Sequence, residues 1–335
     1  MQTPLSARSA VLALTLLTAF IISWELFLRH RGVVPDYDDG PELYSHVRDE
    51  VYEPSDKATV ILGSSRIKYD IDIPTWEKLY GTHAVQLAMV GSSPLHILDD
   101  LAKDPKFKGK LLVDVTEVLF FSHHGDEDPD AGISYYHKRT PAQQVSFMLD
   151  VPLESHLAFL NKDHYTITGL LGRVPVKNRP GVYPFLDFPF GFDLTQLNRQ
   201  TKMSAEFVTD TDKHNQVKGI WKLLAQDPTP PMHGKELDSL MLTVKQDIDK
   251  IKARGGDVIF TRTPSSGGFY MGEQHGWPRA AYWDRLLAYT GCKGFYFKDN
   301  PVTANLQCPE WSHLSPADAV VYTTSLAGTL KQANW

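Results

Sequence analysis

The sequence predicts a three-layer α/β domain with a mainly parallel sheet, preceded by one transmembrane helix. Two patterns indicate it: apolar runs of strand length alternate with segments of helical periodicity, and an uncharged apolar run lies near the N-terminus. Strands that alternate with helices favour a parallel sheet covered by helices. The 335 residues are 42% hydrophobic and 22% charged, which is typical of a globular protein with a sizeable core. The formal net charge of −6 argues against a basic nucleic-acid-binding surface, so we expect no nucleic-acid partner.

The N-terminal apolar run is long enough to cross a bilayer. No charged residue lies between Ser9 and Trp24, and residues 9–28 span about 30 Å at a rise of ~1.5 Å per residue. Trp24 suits an interfacial anchor, and Glu25 falls where headgroups and water can solvate it. A cleaved signal peptide and a buried soluble helix are the alternatives, but no small-x-small cleavage site follows the run. We therefore favour an uncleaved signal anchor, and no second stretch approaches spanning length.

Charges beside this run leave its orientation open. Arg8 precedes it, whereas Arg29 and Arg31 follow it, and the positive-inside tendency then favours a cytoplasmic C-terminal domain. Long domains, however, translocate largely regardless of flanking charge. The expected organisation has three parts: an N-terminal tail and anchor (1–33), a linker containing Pro, Gly and acidic residues (34–56), and an α/β domain (57–335) with an insertion at about 122–235.

Candidate strands and helices follow the linker in alternating order. Three apolar runs suit buried parallel strands: 59–62, 84–88 and 111–115. Two further strands are predicted at 257–261 and 294–297. Helices are predicted over 237–251, from about 278 to 291, and from 315 to about 330. The insertion is rich in aromatic residues and proline, and we expect it to fold over the carboxyl edge of the sheet.

Polar side chains follow the first strand and precede the last helix. The first strand ends at Gly63, which places Ser65 at the carboxyl edge of a parallel sheet, where ligand sites of α/β proteins form. Glu310 and His313 are three residues apart, so the carboxylate could orient an imidazole that activates a distant serine. Gly-Ser-Ser recurs at 91–93, so a serine after glycine can also be turn chemistry. Likewise, Glu310 and His313 could be a solvated polar turn.

These two segments resemble motifs of the SGNH/GDSL hydrolase superfamily, particularly its membrane-anchored branch associated with acylation of cell-envelope polysaccharides. The family's first block is Gly-Asp-Ser or Gly-Ser-Ser, and its last is Asp-x-x-His shortly before the final helix. The resemblance covers most of residues 58–330 and implies an SGNH-like, flavodoxin-like fold. It implies Ser65 as nucleophile, His313 as general base and Glu310 as the orienting acid. It also implies that the backbone N–H of Gly91 joins that of Ser65 in an oxyanion hole.

The sequence departs from the family pattern at two points. Glu310 replaces the usual aspartate and is one methylene longer, which triads of other hydrolases tolerate. The third block normally supplies an asparagine to the oxyanion hole, whereas residues 114–118 contain none. Loss of one such donor can lower the rate by ~10²–10³. Either Thr116 or another group substitutes for it, or the protein is a slow or specialised enzyme.

Three further residues are candidates for substrate binding. Arg66, Arg262 and Ser265 are expected near the same sheet edge, where the arginines could face an anionic group on a substrate. A single arginine is, however, more often a surface or salt-bridge residue.

The cysteine and histidine patterns indicate little chemistry. Cys292 and Cys308 could form a disulfide that closes a loop of about 17 residues, or they could be unrelated thiols. His123, His124 and Asp126 lack a third histidine or cysteine at a metal-ligand spacing. We therefore expect no metal, and the expected serine chemistry needs no cofactor.

Together these features favour a membrane-anchored serine esterase or O-acyltransferase that acts on an envelope polysaccharide or another acylated glycan, with acetyl as the expected acyl group. For the transferase, the resemblance implies a membrane-bound O-acyltransferase as acyl supplier and a periplasmic or extracellular domain. A second hypothesis is a catalytically inactive accessory that binds polysaccharide or scaffolds an acylation complex. The missing asparagine and the substituted acid favour the accessory, whereas Ser65 and His313 favour the enzyme.

Overall fold

The computed structural model describes residues 7–52, 58–122, 129–161, 188–226 and 229–335, together with residues 165, 171 and 174. The chain forms two compact units. The first combines Met1–Asp38 with Thr140–Pro184, and the second combines Asp39–Arg139 with Phe185–Trp335.

The second unit is an α/β domain built on a parallel five-stranded sheet. The sheet strands are β1 (Ala58–Leu62), β2 (His83–Gln86), β3 (Lys110–Asp114), β6 (Asp257–Arg262) and β7 (Gly294–Tyr296). A separate antiparallel pair is formed by β4 (Leu194–Thr195) and β5 (Thr201–Lys202). The α/β class and the parallel sheet predicted from the apolar runs are confirmed.

Helices connect and follow these strands. In the first segment of this unit, Asp39–Arg139, they are α2 (Pro41–Asp49), α3 (Ser65–Asp70), α4 (Ile73–Tyr80), α5 (Leu95–Lys103), α6 (Glu117–Phe120) and α7 (Pro129–Lys138). In the second segment, Phe185–Trp335, they are α9 (Ala205–Thr209), α10 (Thr211–Leu224), α11 (Gly234–Ala253), α12 (Gly267–Gly276), α13 (Trp283–Thr290) and α14 (Pro316–Gln332). Helix α14 packs against α3 and α4, whereas α11 packs against α5 and α13.

The strand order β2-β1-β3-β6-β7 determines where a site can form. Val60 of β1 pairs with Val85 of β2 on one side and with Leu111 of β3 on the other, in parallel register. The chain therefore leaves β1 for one neighbour and returns to the opposite side for the next. Such a reversal opens a crevice at the carboxyl ends of the two central strands. Every residue of β1 is buried, which explains its unbroken apolar sequence.

Two helices near the end of the sheet differ from the sequence-based prediction. The helix predicted from Pro278 begins only at Trp283, because residues 278–282 form a turn in which the carbonyl of Pro278 accepts from the amide of Ala281. Helix α12 was not predicted, because the four glycines among its ten residues weaken the helical pattern.

Part of the insertion forms a small second core in the α/β unit. Its buried members are Tyr69, Phe192, Met203, Phe207 and Val217. Four of these lie within 188–226, and Tyr69 belongs to α3, the helix that begins at Ser65. This part of the insertion thus packs beside the carboxyl end of β1. The insertion contains an aromatic- and proline-rich stretch at 180–191, of which residues 180–187 lie outside the described residues.

The described residues of the first unit include the helices α1 and α8. Helix α1 (Ala7–His30) is long and apolar enough to cross a membrane, a test that a signal sequence near an N-terminus also passes. Helix α8 (Pro141–His156) begins with a capping box, in which Thr140 and Gln143 satisfy each other's backbone amides. A 3₁₀ turn (Ala158–Leu160) follows α8 and packs against α1.

Candidate active site

Ser65 lies at the turn between β1 and α3. Its neighbour Gly63 has no room for a side chain, since a Cβ there would lie 2.6 Å from Cγ2 of Ile67 and 2.8 Å from Cβ of Asp114. Ser64 caps α3 by accepting from the amide of Arg66 at 3.4 Å. This tight turn leaves Ser65 half-buried at the first position of the helix, with its hydroxyl at the edge of the sheet.

His313 meets Ser65 from the loop before the last helix. Nε2 of His313 lies 2.9 Å from Oγ of Ser65. The loop is fixed on its C-terminal side because the amide of Leu314 donates to Asp70 at 2.9 Å and Ser315 caps α14. The imidazole is buried, yet its Nε2 reaches the half-exposed hydroxyl.

Glu310 holds the other side of the imidazole. Its Oε1 lies 3.0 Å from Nδ1 of His313 and also accepts from the amide of His313 at 2.6 Å. Its Oε2 accepts from Nε1 of Trp221. Burial by itself would raise the pKa of Glu310, but the charge and hydrogen bonds of His313 and the indole of Trp221 lower it below its ordinary value. An ionised acceptor at Nδ1 favours the tautomer that leaves Nε2 free to accept the proton of Ser65.

A strained residue shapes the turn between acid and base. Trp311 has φ of +86°, in the left-handed region that non-glycine residues rarely adopt. Its carbonyl accepts from the amide of Ser266 at 2.9 Å, and its ring packs on Gly267, where a Cβ would lie 2.4 Å from Nε1 of the indole. These contacts hold the turn in which Glu310 and His313 face each other.

Aromatic rings of the insertion and of α3 surround the imidazole. The ring centroids of Tyr69 and Phe192 lie 4.3 Å and 5.6 Å from that of His313, and that of Trp221 lies 6.1 Å away. Phe188 stacks on Phe192 and contacts Trp221. The described aromatic residues at this end of the aromatic stretch therefore pack the wall of the site.

We call Ser65, Glu310 and His313 the serine cluster. Sequence reasoning placed these three residues together, and the structure brings them into hydrogen-bonding distance. It did not identify Trp221, which lies 89 residues before Glu310 on α10. No local motif marks such a partner, because its role depends on the folding of the insertion.

Gly91 lies in a turn tied to the end of β1. The amide of Met89 donates to the carbonyl of Gly63 at 3.2 Å, and Gly91 itself has φ of +67°, which favours glycine. The amide of Ser65, at the first turn of α3, has no intrahelical acceptor. Both residues implied for an oxyanion hole therefore lie on segments joined at Gly63.

Thr116, considered as a substitute for the absent asparagine, has its hydroxyl engaged elsewhere. It donates to Oδ2 of Asp114 at 2.9 Å and lies 2.8 Å from Oγ of Ser64. Asp114 also accepts from the amide and hydroxyl of Thr263, and burial raises the pKa of its carboxyl group. Thr116 thus connects the ends of β1 and β3, and its proton is not directed at the hydroxyl of Ser65.

A second polar cluster lies beside the first and contains the three predicted substrate-binding residues. We call it the ion network; its members are Arg66, Glu117, Arg262, Ser265 and Glu273. All are buried, and Glu273 binds both Arg66 and Arg262. Arg262 also binds Glu117 at 3.0 Å and Ser265 at 2.9 Å.

Arg262 and Ser265 bind partners inside the ion network. These bonds do not test the predicted contact of the two residues with a substrate, which stays a prediction. Arg66 is also buried, but its Nη1 has no hydrogen-bond partner among the described residues. Its predicted role in binding a substrate stays a prediction.

Cys292 and Cys308 are both free, buried thiols, so of the two alternatives left open by the sequence the structure has the unrelated thiols and not the disulfide. Cys292 precedes β7, and its sulfur lies 3.3 Å from Nζ of Lys252. Cys308 lies 3.6 Å from the carbonyl of Pro264, which follows β6. Cys292 therefore lies near the amino ends of the strands and Cys308 near their carboxyl ends, a separation that their distance along the chain did not indicate.

Among the described residues, no group of three His, Cys, Asp or Glu side chains could hold a metal ion. His123, His124 and Asp126 lie outside the described residues.

No protein-family model matches this chain, and no curated protein matches it. The case for a function therefore comes from the geometry of its residues.

Proposed function

We propose that this chain is a membrane-anchored serine esterase or O-acyltransferase of the SGNH kind, acting on acyl esters of an envelope polysaccharide. The observation that carries the proposal is the serine cluster: Nε2 of His313 is 2.9 Å from Oγ of Ser65, and Glu310 is 3.0 Å from Nδ1. A hydroxyl, a base and an orienting acid in this order make an activated nucleophile.

The proposed reaction has two half-reactions. Nε2 of His313 takes the proton of Ser65 as Oγ attacks the acyl carbonyl, and Glu310 stabilises the resulting imidazolium. The imidazolium then protonates the leaving alkoxide, which departs as an alcohol and leaves the acyl group on Ser65. Water or a sugar hydroxyl attacks this ester, gives its proton to His313, and releases the acid or the acylated sugar with free Ser65.

The oxyanion formed in each half-reaction needs backbone donors. The amides of Ser65 and Gly91 are proposed for this role, since both segments meet at the carbonyl of Gly63. A hole with two donors, where the family pattern has three, predicts a slower reaction.

The fold supports an SGNH-like domain in two respects. Ser65 follows the strand at which the strand order reverses, where sites of α/β proteins form. Helix α14 packs with α3 and α4 whereas α11 packs with α5 and α13, and this division into two groups of helices supports the three-layer arrangement that we propose. We further propose that α1 is a single-pass anchor and that the α/β domain lies in the periplasm or outside the cell, with a membrane-bound O-acyltransferase as acyl donor.

A specific observation favours the second candidate function, an inactive accessory that binds polysaccharide. The hydroxyl of Thr116 donates to Asp114, so it does not replace the absent asparagine. In that case the serine cluster would be an inherited arrangement without turnover.

Hydrolysis of 4-nitrophenyl acetate by the full chain in detergent micelles distinguishes the two. We expect nitrophenolate release by the wild type and by Ser92→Ala, a control in the second Gly-Ser-Ser, but not by Ser65→Ala. An acyl-serine on Ser65, detected by mass spectrometry, and its discharge to added oligosaccharides would indicate transfer. Equal release by the wild type and Ser65→Ala would contradict catalysis by Ser65 and favour the accessory.

A further inference from the structure

Helix α8 presents an apolar face that no described residue of its unit covers. None of its 16 residues is buried. Val145, Met148, Leu149 and Leu153 are exposed by 55%, 68%, 67% and 52%. Their spacing of three and four residues places them on one side of the helix. A contiguous exposed apolar face of this kind marks an interaction surface.

The other side of α8 combines polar residues with the half-buried Phe147 and Val151. At 100° per residue, Gln143, Asp150 and Glu154 fall opposite the apolar face. The helix contains acidic residues but no lysine or arginine. An amphipathic helix without basic residues binds a lipid surface through burial of apolar area, rather than by attraction to anionic headgroups.

Hydrogen bonds attach the end of α8 to the end of α1. Glu25 accepts from the amides of Ala158 and Phe159 at 3.0 Å and 3.2 Å. Arg29 binds Glu25 at 2.7 Å and donates to the carbonyl of His156, the last residue of α8, at 2.8 Å. Both Glu25 and Arg29 lie in the last turns of α1, next to the exposed apolar side chains of Leu26 and Phe27.

We propose that α8 lies in the interface of the bilayer that α1 crosses, with Val145, Met148, Leu149 and Leu153 toward the acyl chains. The occupant of the apolar face is thus lipid, because the helix is held where a spanning α1 leaves the hydrocarbon and enters the headgroups. The chain then contacts the membrane through two elements rather than one. This proposal goes beyond the acyl chemistry, and it rests on α1 spanning the bilayer.

Site-specific fluorescence on the full chain in phosphatidylcholine vesicles tests the proposal. An environment-sensitive nitrobenzoxadiazole probe is attached to Leu149→Cys, to Asp150→Cys as a control on the polar face, and to Leu17→Cys within α1. Both native thiols are buried, so the labelled wild type gives the background. Circular dichroism checks that the variants fold alike.

Quenching by nitroxide on the acyl chains and by aqueous iodide separates the outcomes. We expect lipid quenching at Leu17 and Leu149 but iodide quenching at Asp150, unchanged when phosphatidylglycerol is added. Iodide quenching at Leu149 as strong as at Asp150, with lipid quenching at Leu17, would overturn the proposal and keep the anchor. Shielding of Leu149 from both quenchers would also overturn it, in favour of a protein occupant. Absence of lipid quenching at Leu17 would overturn the spanning of α1, and the proposal with it.

Discussion

The serine cluster and the ion network lie at the same edge of one sheet, and adjacent residues belong to each. Ser65 ends half-exposed beside His313, whereas the next residue, Arg66, is buried against Glu273. Both clusters consist of buried polar groups that hydrogen-bond one another. They differ in how each cluster ends.

The ion network pairs opposite charges within the fold, although Nη1 of Arg66 lacks a hydrogen-bond partner among the described residues. Its two arginines face two carboxylates, and its charges cancel inside the fold. The serine cluster instead runs from the buried, ionised carboxylate of Glu310 through the imidazole of His313 to the partly exposed hydroxyl of Ser65. Burial of polar groups alone therefore does not indicate a reactive site, whereas an open end with a base behind it does.

The largest effect should fall on turnover when the base is removed. His313→Gln leaves no group to accept the proton of Ser65, and loss of one member of a triad costs ~10⁴-fold or more in kcat. In urea, the same variant should lose less unfolding free energy than Glu273→Gln described below, since the side-chain amide of glutamine can still donate to Glu310. A variant that kept more than a tenth of wild-type ester hydrolysis would show that His313 is not the base.

The ion network should respond in the opposite way, through stability. Glu273→Gln leaves two buried arginines with one carboxylate, and removal of one partner from a buried ion pair costs about 3–5 kcal/mol of unfolding free energy. The control is Asp249→Asn, which breaks an exposed pair with Lys245 and should cost less than about 0.5 kcal/mol. Similar urea midpoints for the two variants would contradict the structural role of the network.

Trp221 should affect the serine cluster through Glu310. Trp221→Phe keeps a ring beside Phe188 and Phe192 but removes the hydrogen bond to Oε2, and a hydrogen bond to a charged group is worth about 1.5–3 kcal/mol. We expect kcat to fall about tenfold with little change in KM. Because this bond helps to lower the pKa of Glu310, the acid side of the pH–rate profile should move to higher pH.

Trp277→Phe is the matched control, since Nε1 of Trp277 is buried without a hydrogen-bond partner among the described residues. A pH profile that shifts equally in the two variants would assign the effect to packing rather than to Glu310.

The smallest effect should separate two buried acids near the site. Glu310 has several donors and a lowered pKa, whereas Asp70 has a pKa raised well above its ordinary value, because burial outweighs the amide of Leu314 and Oδ2 lacks a partner in the described residues. A raised folded-state pKa contributes stability at low pH that is lost as pH rises through that value.

At pH 7, the unfolding free energy of Asp70→Asn should therefore equal or exceed that of the wild type. Near pH 4, the comparison should shift in favour of the wild type. Urea titrations at the two pH values should show this change in the sign or size of the difference between the variant and the wild type. Glu310→Gln should show the opposite trend, because a lowered pKa contributes stability above its unfolded value that is lost on acidification. The same trend in both variants would contradict the contrast between the two acids.

Local patterns predicted the parts of the site that lie close together in the chain. Gly63 and Ser65 follow an apolar strand, and Glu310 and His313 share one turn, so short-range geometry was sufficient. The parallel sheet followed from apolar runs for the same reason. The strain at Trp311, which supports that turn, has no signature in the sequence.

Long-range partners could not be predicted in this way. An arginine at the end of β6 resembles a residue facing substrate until Glu117, 145 residues earlier, neutralises it. Glu273 lies in α12, a helix that was not predicted because its glycines weaken the helical pattern. Cys292 and Cys308 are close in sequence, yet they lie near the amino and the carboxyl ends of the strands, because β7 lies between them in the chain.

The most direct test of an activated serine is labelling of the full chain in detergent micelles with a fluorophosphonate, which reacts with an activated serine whatever its substrate. We expect labelling of the wild type at Ser65, confirmed by mass spectrometry of the modified peptide, and loss of labelling in Ser65→Ala and His313→Gln. Glu273→Gln should still be labelled when the reaction is run without denaturant, at a temperature at which this variant is folded. A folded wild type that remains unlabelled, or labelling that persists in Ser65→Ala, would contradict the central claim.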